Sequence, residues 1–169
     1  MTKWTLIGLG LMLSLLANSI APLFITHPPD SVNLASPQSG AFTALEVKKL
    51  TDPTQVANYF YQGLLAGNYQ KVYQLMHPQV QAEVSQEQYV QELQAALPKA
   101  KIVLTGYKLG DAKIYQTWRS SFDPKARTYK NVQEIDVVLS GKERDNALNI
   151  PGVLILAPLP DGSWRVLRQ

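Results

Sequence analysis

The chain has 169 residues, a formal net charge of +3 and no cysteine. Without cysteine it can form no disulfide and has no thiolate for metal binding or nucleophilic catalysis. The 16 Lys and Arg residues only slightly outnumber the 13 Asp and Glu residues. Because nucleic-acid-binding proteins concentrate basic charge in a patch or stripe, we expect no nucleic-acid partner.

The N-terminal segment is apolar and uncharged. Residues 4–29 contain no Asp, Glu, Lys or Arg and follow a single base, Lys3. An apolar run from Leu6 to Leu16 precedes small residues, a layout typical of a signal peptide or an N-terminal membrane anchor. We therefore predict a signal anchor or signal peptide over residues 1–25.

Cleavage of this segment is disfavoured by Pro22, which would follow a cut after Ala21. Residues 4–25 are also long enough to span a bilayer. We expect an uncleaved anchor with Lys3 on the cytoplasmic side. The rest of the chain would then lie on the extracytoplasmic side, in a periplasm or equivalent lumen. The alternative is secretion after cleavage.

Residues 26–51 begin with a polar sequence rich in proline, which predicts a flexible linker. Residues 52–169 suffice for one domain, and their pattern predicts an α+β fold that starts with three helices. Capping and breaking residues mark each helix: Asp52, Pro53 and Gly67 for the first, Asn68 and Pro78 for the second, and Ser85, Gln88 and Pro98 for the third.

The apolar period changes from 3.6 to 2 at Lys101, which predicts strands from there onward. The candidate strands cover residues 102–109, 114–120, 129–139, 153–157 and 163–167. Turns are expected at Gly110-Asp111 and at residues 160–162. Ile135, Val137 and Leu139 alternate with mostly polar residues, so we expect the helices to pack on one face of a twisted antiparallel sheet.

This order of elements, together with the run from Val56 to Tyr69, resembles the nuclear-transport-factor-two-like superfamily, also called the cystatin-like cone fold. In that family an aromatic helix ends in a glycine turn similar to Ala66-Gly67-Asn68-Tyr69, and the next helix ends in a segment similar to Leu75-Met76-His77-Pro78. The resemblance covers residues 52–169. It implies a fold and no particular function, because the superfamily includes isomerases, dehydratases and protein-binding modules.

No catalytic or metal-binding set emerges from the sequence. His27 lies in the predicted linker and His77 at a predicted helix end, while Glu134 and Asp136 fall on the face opposite the apolar residues of their strand. General acid or base catalysis needs a titratable group in a dry pocket, and zinc or calcium needs a cluster of ligands. We therefore expect no catalytic residue, no metal and no cofactor.

Two candidate sites remain. Aromatic residues could line a ligand pocket inside the cone, and the candidates are Tyr59, Tyr73, Tyr115 and Trp118. Bases concentrated between residues 99 and 130 could form a surface for anionic lipid headgroups or an acidic partner, and the candidates are Lys108, Lys113, Lys125 and Arg127.

The sequence favours a non-enzymatic, membrane-anchored extracytoplasmic interaction or assembly module. Its expected partners are the membrane, through residues 4–25, and a membrane-associated protein, and a homodimer is possible. The alternative is a small apolar ligand-binding or isomerase-like cone domain with a tyrosine-lined pocket. A cavity with inward polar groups would favour this alternative.

Overall fold

The computed structural model describes residues 49–119, 125, 127–144 and 146–168. These residues form an α+β arrangement with four helices and one antiparallel sheet of strand order β1-β2-β3-β4. The helices are α1 Pro53–Leu65, α2 Tyr69–Gln74, α3 Pro78–Gln81 and α4 Gln86–Ala100. The strands are β1 Ile102–Arg119, β2 Thr128–Glu143, β3 Asn146–Pro158 and β4 Trp164–Arg168.

The predicted anchor over residues 1–25 and most of the predicted linker lie outside the described residues. Among the helices that are described, none is long and apolar enough to cross a membrane. Leu50, assigned to the linker from sequence, is buried in the core, and its carbonyl accepts the Trp164 N–H at 2.8 Å. The packed part of the chain therefore includes Leu50, upstream of the predicted start at Asp52.

The helix starts follow the predicted capping residues. The Asp52 carboxylate accepts the Thr54 N–H at 2.9 Å, and the Ser85 hydroxyl accepts the Gln88 N–H at 3.2 Å. These bonds satisfy backbone donors that have no partner within the first turn of a helix. Gly67 follows α1 with φ +68, the left-handed conformation that glycine adopts without a Cβ clash.

Two prolines behave differently from the prediction. Pro78 follows α2 but does not end the helical part of the chain. It is the first residue of the short helix α3, where a missing N–H costs nothing because a first-turn N–H has no partner within the helix. Pro98 was expected beyond the third predicted helix but lies inside α4, which continues to Ala100. A proline this close to the helix end removes one late hydrogen bond, so the final turn still forms.

The predicted turn at Gly110-Asp111 is wrong. β1 runs through both residues and pairs with β2 along its length. The pairing passes from Leu109 opposite Val137 to Ala112 opposite Ile135, which leaves one extra residue on β1. Gly110-Asp111 therefore forms a β-bulge and not a hairpin turn.

The predicted turn between the last two strands is confirmed. Gly162 has φ +80 between β3 and β4, and the Asp161 carboxylate accepts the Ser163 N–H at 2.9 Å. β4 is also bordered on its other side, because Val166 forms an isolated parallel bridge with Met76.

The main core lies between the helices and one face of the sheet. Ile135, Val137 and Leu139 point into it, as their alternation predicted. α1 contributes the largest share from the helices, and the packed residues of α1 are Val56, Ala57, Phe60, Tyr61 and Leu64. The helices thus cover this face, which we call the inner face; the opposite face is the outer face.

The outer face, which the alternation predicted to be mostly polar, also carries apolar residues that form a second cluster. Ile155 is buried in a second apolar cluster, although its neighbour Leu156 belongs to the main core. Successive strand residues point to opposite faces, so this second cluster occupies the outer face. Its buried members are Val132, Ile155, Ala157 and Leu167, with Trp118 and Tyr129 packed against them.

Candidate functional site

Aromatic side chains fill the space between the helices and the inner face. The Tyr61 ring lies 5.3 Å from the ring of Phe60 and 5.3 Å from that of Tyr107. The Tyr107 hydroxyl donates to Asn58 Oδ1 at 3.0 Å, which joins β1 to α1. Such pairs contribute packing energy, so this part of the interior is occupied by core side chains.

The Tyr61 hydroxyl is the one polar feature of this interior that the core does not satisfy. It is buried and has no hydrogen-bond partner among the described residues. Burial raises the pKa of Tyr61, with a further contribution from Tyr89, and burial also raises the pKa of Tyr89. The Tyr89 hydroxyl has the Met76 sulfur as a weak acceptor at 3.8 Å. Both phenols are therefore neutral donors and not proton acceptors at neutral pH.

The structure does not bring the four predicted pocket residues together. Tyr59, on α1, accepts a hydrogen bond from Gln55, whereas the Tyr115 hydroxyl lies 3.4 Å from the Glu134 carboxylate on the sheet. The Trp118 ring packs against Tyr129 at the second cluster. Each of these side chains thus has its own neighbours in a different part of the fold.

Tyr73, the fourth predicted pocket residue, holds a loop. Its hydroxyl donates to the carbonyls of Val84 at 2.8 Å and Gln81 at 3.1 Å, and Gln81 returns a bond to the Tyr73 carbonyl at 2.8 Å. These bonds fix the connection between α3 and α4 against α2. The Tyr73 side chain accordingly has a structural role.

Two clefts of about 450 and 350 Å³ lie at the surface between the α1–α2 turn and α4. They share Gln70 and Val90, and the rest of their lining is largely amide side chains and turn backbone. Ligand pockets are usually concave and mostly apolar, with a few converging polar groups. These open, glutamine-lined clefts lack that character, and the predicted pocket residues do not line them.

His77 is the described histidine, and its surroundings explain its burial. Its Nδ1 accepts the Gln79 N–H at 3.2 Å, and its ring lies edge-on to Tyr129 at 5.6 Å. Burial lowers the pKa of His77, and the charges of Arg127 and Arg165 lower it further. A neutral imidazole that already caps a helix through Nδ1 is a poor general base.

Metal chemistry has no candidate ligands in the part of the chain that the structure describes. No group of three or more His, Asp or Glu residues there could hold a metal ion. The acids that the sequence analysis considered, Glu134 and Asp136, instead lie near Lys113.

The four predicted bases do not form one uncompensated surface. Lys113 lies 3.7 Å from Glu134 and 3.7 Å from Asp136 on the neighbouring strand. Lys125 and Arg127 lie 3.3 and 2.7 Å from the carboxylate of Glu83, after α3. Paired charges produce a weaker field at a distance than isolated ones. Lys108 is exposed on β1, outside these ion pairs.

Three apolar residues and two charged residues lie close together on the outer face. Val138 is opposite both Lys108 and Pro151, and Asp136 is opposite Val153. We call these five residues the outer patch. Val138 and Val153 each remain 38% exposed, so part of each valine side chain meets solvent on this face.

The sequence contained a signal for this patch. Along β2 the positions that alternate with Ile135, Val137 and Leu139 are 134, 136 and 138. The first two are the acids Glu134 and Asp136, whereas the third is the apolar Val138. An apolar residue at a solvent-facing position of a strand departs from the polar pattern expected of that face. The partner residues Pro151 and Val153 could not be placed beside it without the strand register.

Known proteins provide no guide to this site. A scan against models of protein families finds no match, and a search of curated proteins finds no similar sequence.

Proposed function

We propose that this protein is a non-enzymatic, membrane-anchored extracytoplasmic module that binds a membrane-associated protein through the outer patch. In this proposal residues 1–25 form the anchor, and the folded domain is a cone of the nuclear-transport-factor-two-like type. The observation that carries the proposal is the exposure of Val138 and Val153 on the outer face of the sheet, opposite the face that the described helices cover.

The composition of the patch supports a protein partner. Its apolar centre, Val138, Pro151 and Val153, is flanked by one base, Lys108, and one acid, Asp136. An apolar centre with a polar rim is the usual arrangement of a protein interface. The flanking charges would orient the partner and exclude wrong ones more than they would add affinity.

The predicted tether supports a partner in the same membrane. A flexible linker after an anchor keeps a domain at high local concentration near other membrane proteins without fixing its orientation. A modest patch can then suffice for binding, because the second contact is effectively intramolecular.

The experiment is gentle detergent extraction of the tagged full chain, followed by cross-linking and mass spectrometry. We expect a defined complex with a membrane-associated protein. The double variant Val138→Glu, Val153→Glu should lose that complex, because it places charges in the apolar centre, while Gln94→Glu on the exposed side of α4 should keep it. Recovery of the same complex from all three chains would contradict the assignment of the patch.

A second candidate function is supported by the unpartnered Tyr61 hydroxyl. A small apolar ligand with one hydrogen-bond acceptor could take this donor if the helices moved apart from the sheet, since an unsatisfied buried donor favours any acceptor that reaches it. Thermal-shift screening of such compounds against the wild type and Tyr61→Phe tests this function. Stabilisation of the wild type alone would support it, and no stabilisation of either would refute it.

A further inference from the structure

The two edges of the sheet differ. The β4 edge is closed by the chain around Leu50 and Leu75–His77, because Val166 donates to the Leu75 carbonyl at 2.9 Å and accepts from His77 at 2.7 Å. β1 pairs with β2 on one side, and no described residue pairs with its other side. An open edge strand presents unpaired N–H and C=O groups that can pair with another chain.

The two halves of β1 also differ. Its first half carries register shifts between Leu104 and Gly106 and between Leu109 and Ala112. Bulges of this kind protect an edge from pairing because they disrupt the regular ladder. Residues 112–119 pair with β2 without a further shift and include residues with high strand propensity. Ile114 in this half is 75% exposed.

We infer that residues 112–118 of β1 pair antiparallel with the same segment of a second copy of this chain. Two identical edge strands that pair antiparallel around a twofold axis keep equivalent faces on the same side. Residues opposite each other must then point to the same face of the sheet. Because successive residues alternate between faces, one residue must lie opposite the same residue of the second copy, and the twofold axis passes between these two.

The charges and the bulge select that residue. An axis at Gln116 would place Lys113 opposite Arg119 of the second copy, and like charges directly opposite destabilise a strand pair. An axis at Ile114 would pair only residues 112–116 regularly, and the next pairs on either side would include the bulge at Gly110-Asp111. An axis at Tyr115 keeps all of 112–118 in regular pairing and brings Asp111 next to Arg119 of the second copy.

This pairing makes one continuous sheet from the two copies. Because the twofold axis is perpendicular to the sheet, the outer patches of the two copies lie on the same side of the combined sheet. The dimer does not depend on the proposed partner, since it uses the β1 edge and not the outer patch. Failure to find the membrane partner therefore leaves the dimer untouched, and the reverse also holds.

Cysteine cross-linking tests the register directly, because the native chain has no cysteine. Opposed residues of an antiparallel pair have Cα atoms about 4.5 to 5.5 Å apart, within the range of about 4.4 to 6.8 Å that a disulfide spans. The full chain in detergent micelles carrying Tyr115→Cys should form a disulfide dimer on mild oxidation. Thr105→Cys, exposed on the same strand beyond the paired segment, should stay largely monomeric.

A second pair of variants covers the case in which Tyr115→Cys does not fold. Lys113→Cys and Thr117→Cys replace exposed residues and should cross-link when the two chains are mixed, and much less when either is alone. Two results would overturn the pairing. One is equal cross-linking of all the cysteine variants, and the other is no cross-linking of either Tyr115→Cys or the mixture of Lys113→Cys with Thr117→Cys.

A charge exchange provides an independent measurement. Arg119→Asp should weaken the dimer of the full chain roughly tenfold in sedimentation equilibrium, because two symmetric contacts with Asp111 change from attraction to repulsion. The double variant Asp111→Arg, Arg119→Asp should restore the affinity. A wild type that stays monomeric at tens of micromolar, or a dimer that Arg119→Asp leaves unchanged, would overturn the proposal.

Discussion

The Glu83 carboxylate lies 2.7 Å from the guanidinium of Arg127. Glu83 follows α3 and Arg127 precedes β2, so this ion pair joins the helical half of the domain to the start of the second strand. His77 and Tyr129 make ring contact between the same two parts of the chain. The end of the β1–β2 pair at which β2 begins is thus attached to the helical part of the domain at two points.

The ion pair should contribute measurably to stability. Glu83→Gln removes the charge that faces Arg127 and Lys125, and we expect a loss of about 0.5 to 1 kcal/mol in the free energy of unfolding, the upper range for a partly exposed pair. Urea unfolding at 0.1 M and 1 M salt measures it, and the loss should shrink at high salt because screening weakens the pair. Glu87→Gln on α4 is the control. A loss that is independent of salt would contradict an electrostatic origin.

Stability should fall as the pH drops below the ordinary histidine range. The pKa of His77 is lowered in the folded state by burial, Arg127 and Arg165, so the unfolded chain takes up a proton first. Stability is then full above about pH 6.5 and decreases as the pH falls toward the folded-state pKa.

Chemical denaturation between pH 5 and 7.5 measures this dependence. His77→Asn should remove most of it, because a neutral asparagine can still accept the Gln79 N–H and does not titrate. His27→Gln, which changes the other histidine of the chain, should retain the dependence, because the prediction assigns it to His77. The same slope in His77→Asn as in the wild type would contradict the assignment.

Gly63 should tolerate no side chain. A Cβ added there would lie 2.8 Å from Cγ2 of Val72, which is fully buried between α1 and α2. Although Gly→Ala normally favours a helix interior, we expect Gly63→Ala to lower the free energy of unfolding by about 1 to 3 kcal/mol through overpacking.

Thermal or urea unfolding tests the Gly63 prediction with two comparisons. Gly106→Ala, where an added Cβ meets nothing within 4 Å, should change stability little. The double variant Gly63→Ala, Val72→Ala should lose less than the sum of the two single changes, because the shared clash is relieved. Additive losses would show that the contact is not the cause.

Tyr61→Phe should stabilise the domain. The hydroxyl is buried without a partner, so its removal abolishes a desolvation cost of about 1 kcal/mol or more while keeping the ring contacts with Phe60 and Tyr107. Tyr107→Phe is the matched control and should destabilise, because Tyr107 donates to Asn58. A loss of stability in Tyr61→Phe would mean that its hydroxyl has an acceptor in solution.

Local signals in the sequence were sufficient for the helix starts and the last turn. The caps at Asp52 and Ser85 and the glycine after α1 depend on backbone groups within a few residues, and the structure has each of them. The turn before β4 is equally local, because Asp161 and Gly162 supply its hydrogen bonds and its positive φ.

Signals that depend on pairing across the chain were not readable. Gly110-Asp111 suits a turn and a bulge alike, and only the register with β2 decides between them. Tyr59 and Tyr61 differ by two positions on one helix, yet Tyr61 is a buried member of the main core and Tyr59 is only partly buried against it. The outer patch likewise arises from a register that places Val138 opposite Pro151.

Site-specific photo-cross-linking in the native membrane tests the central proposal most directly. A photoreactive amino acid is placed at position 138 or 153 of the full chain, with position 94 on α4 as the control. We expect positions 138 and 153 to yield the same adduct with a membrane-associated protein and position 94 to yield none. No protein adduct from 138 and 153, or the same adduct from all three positions, would contradict it.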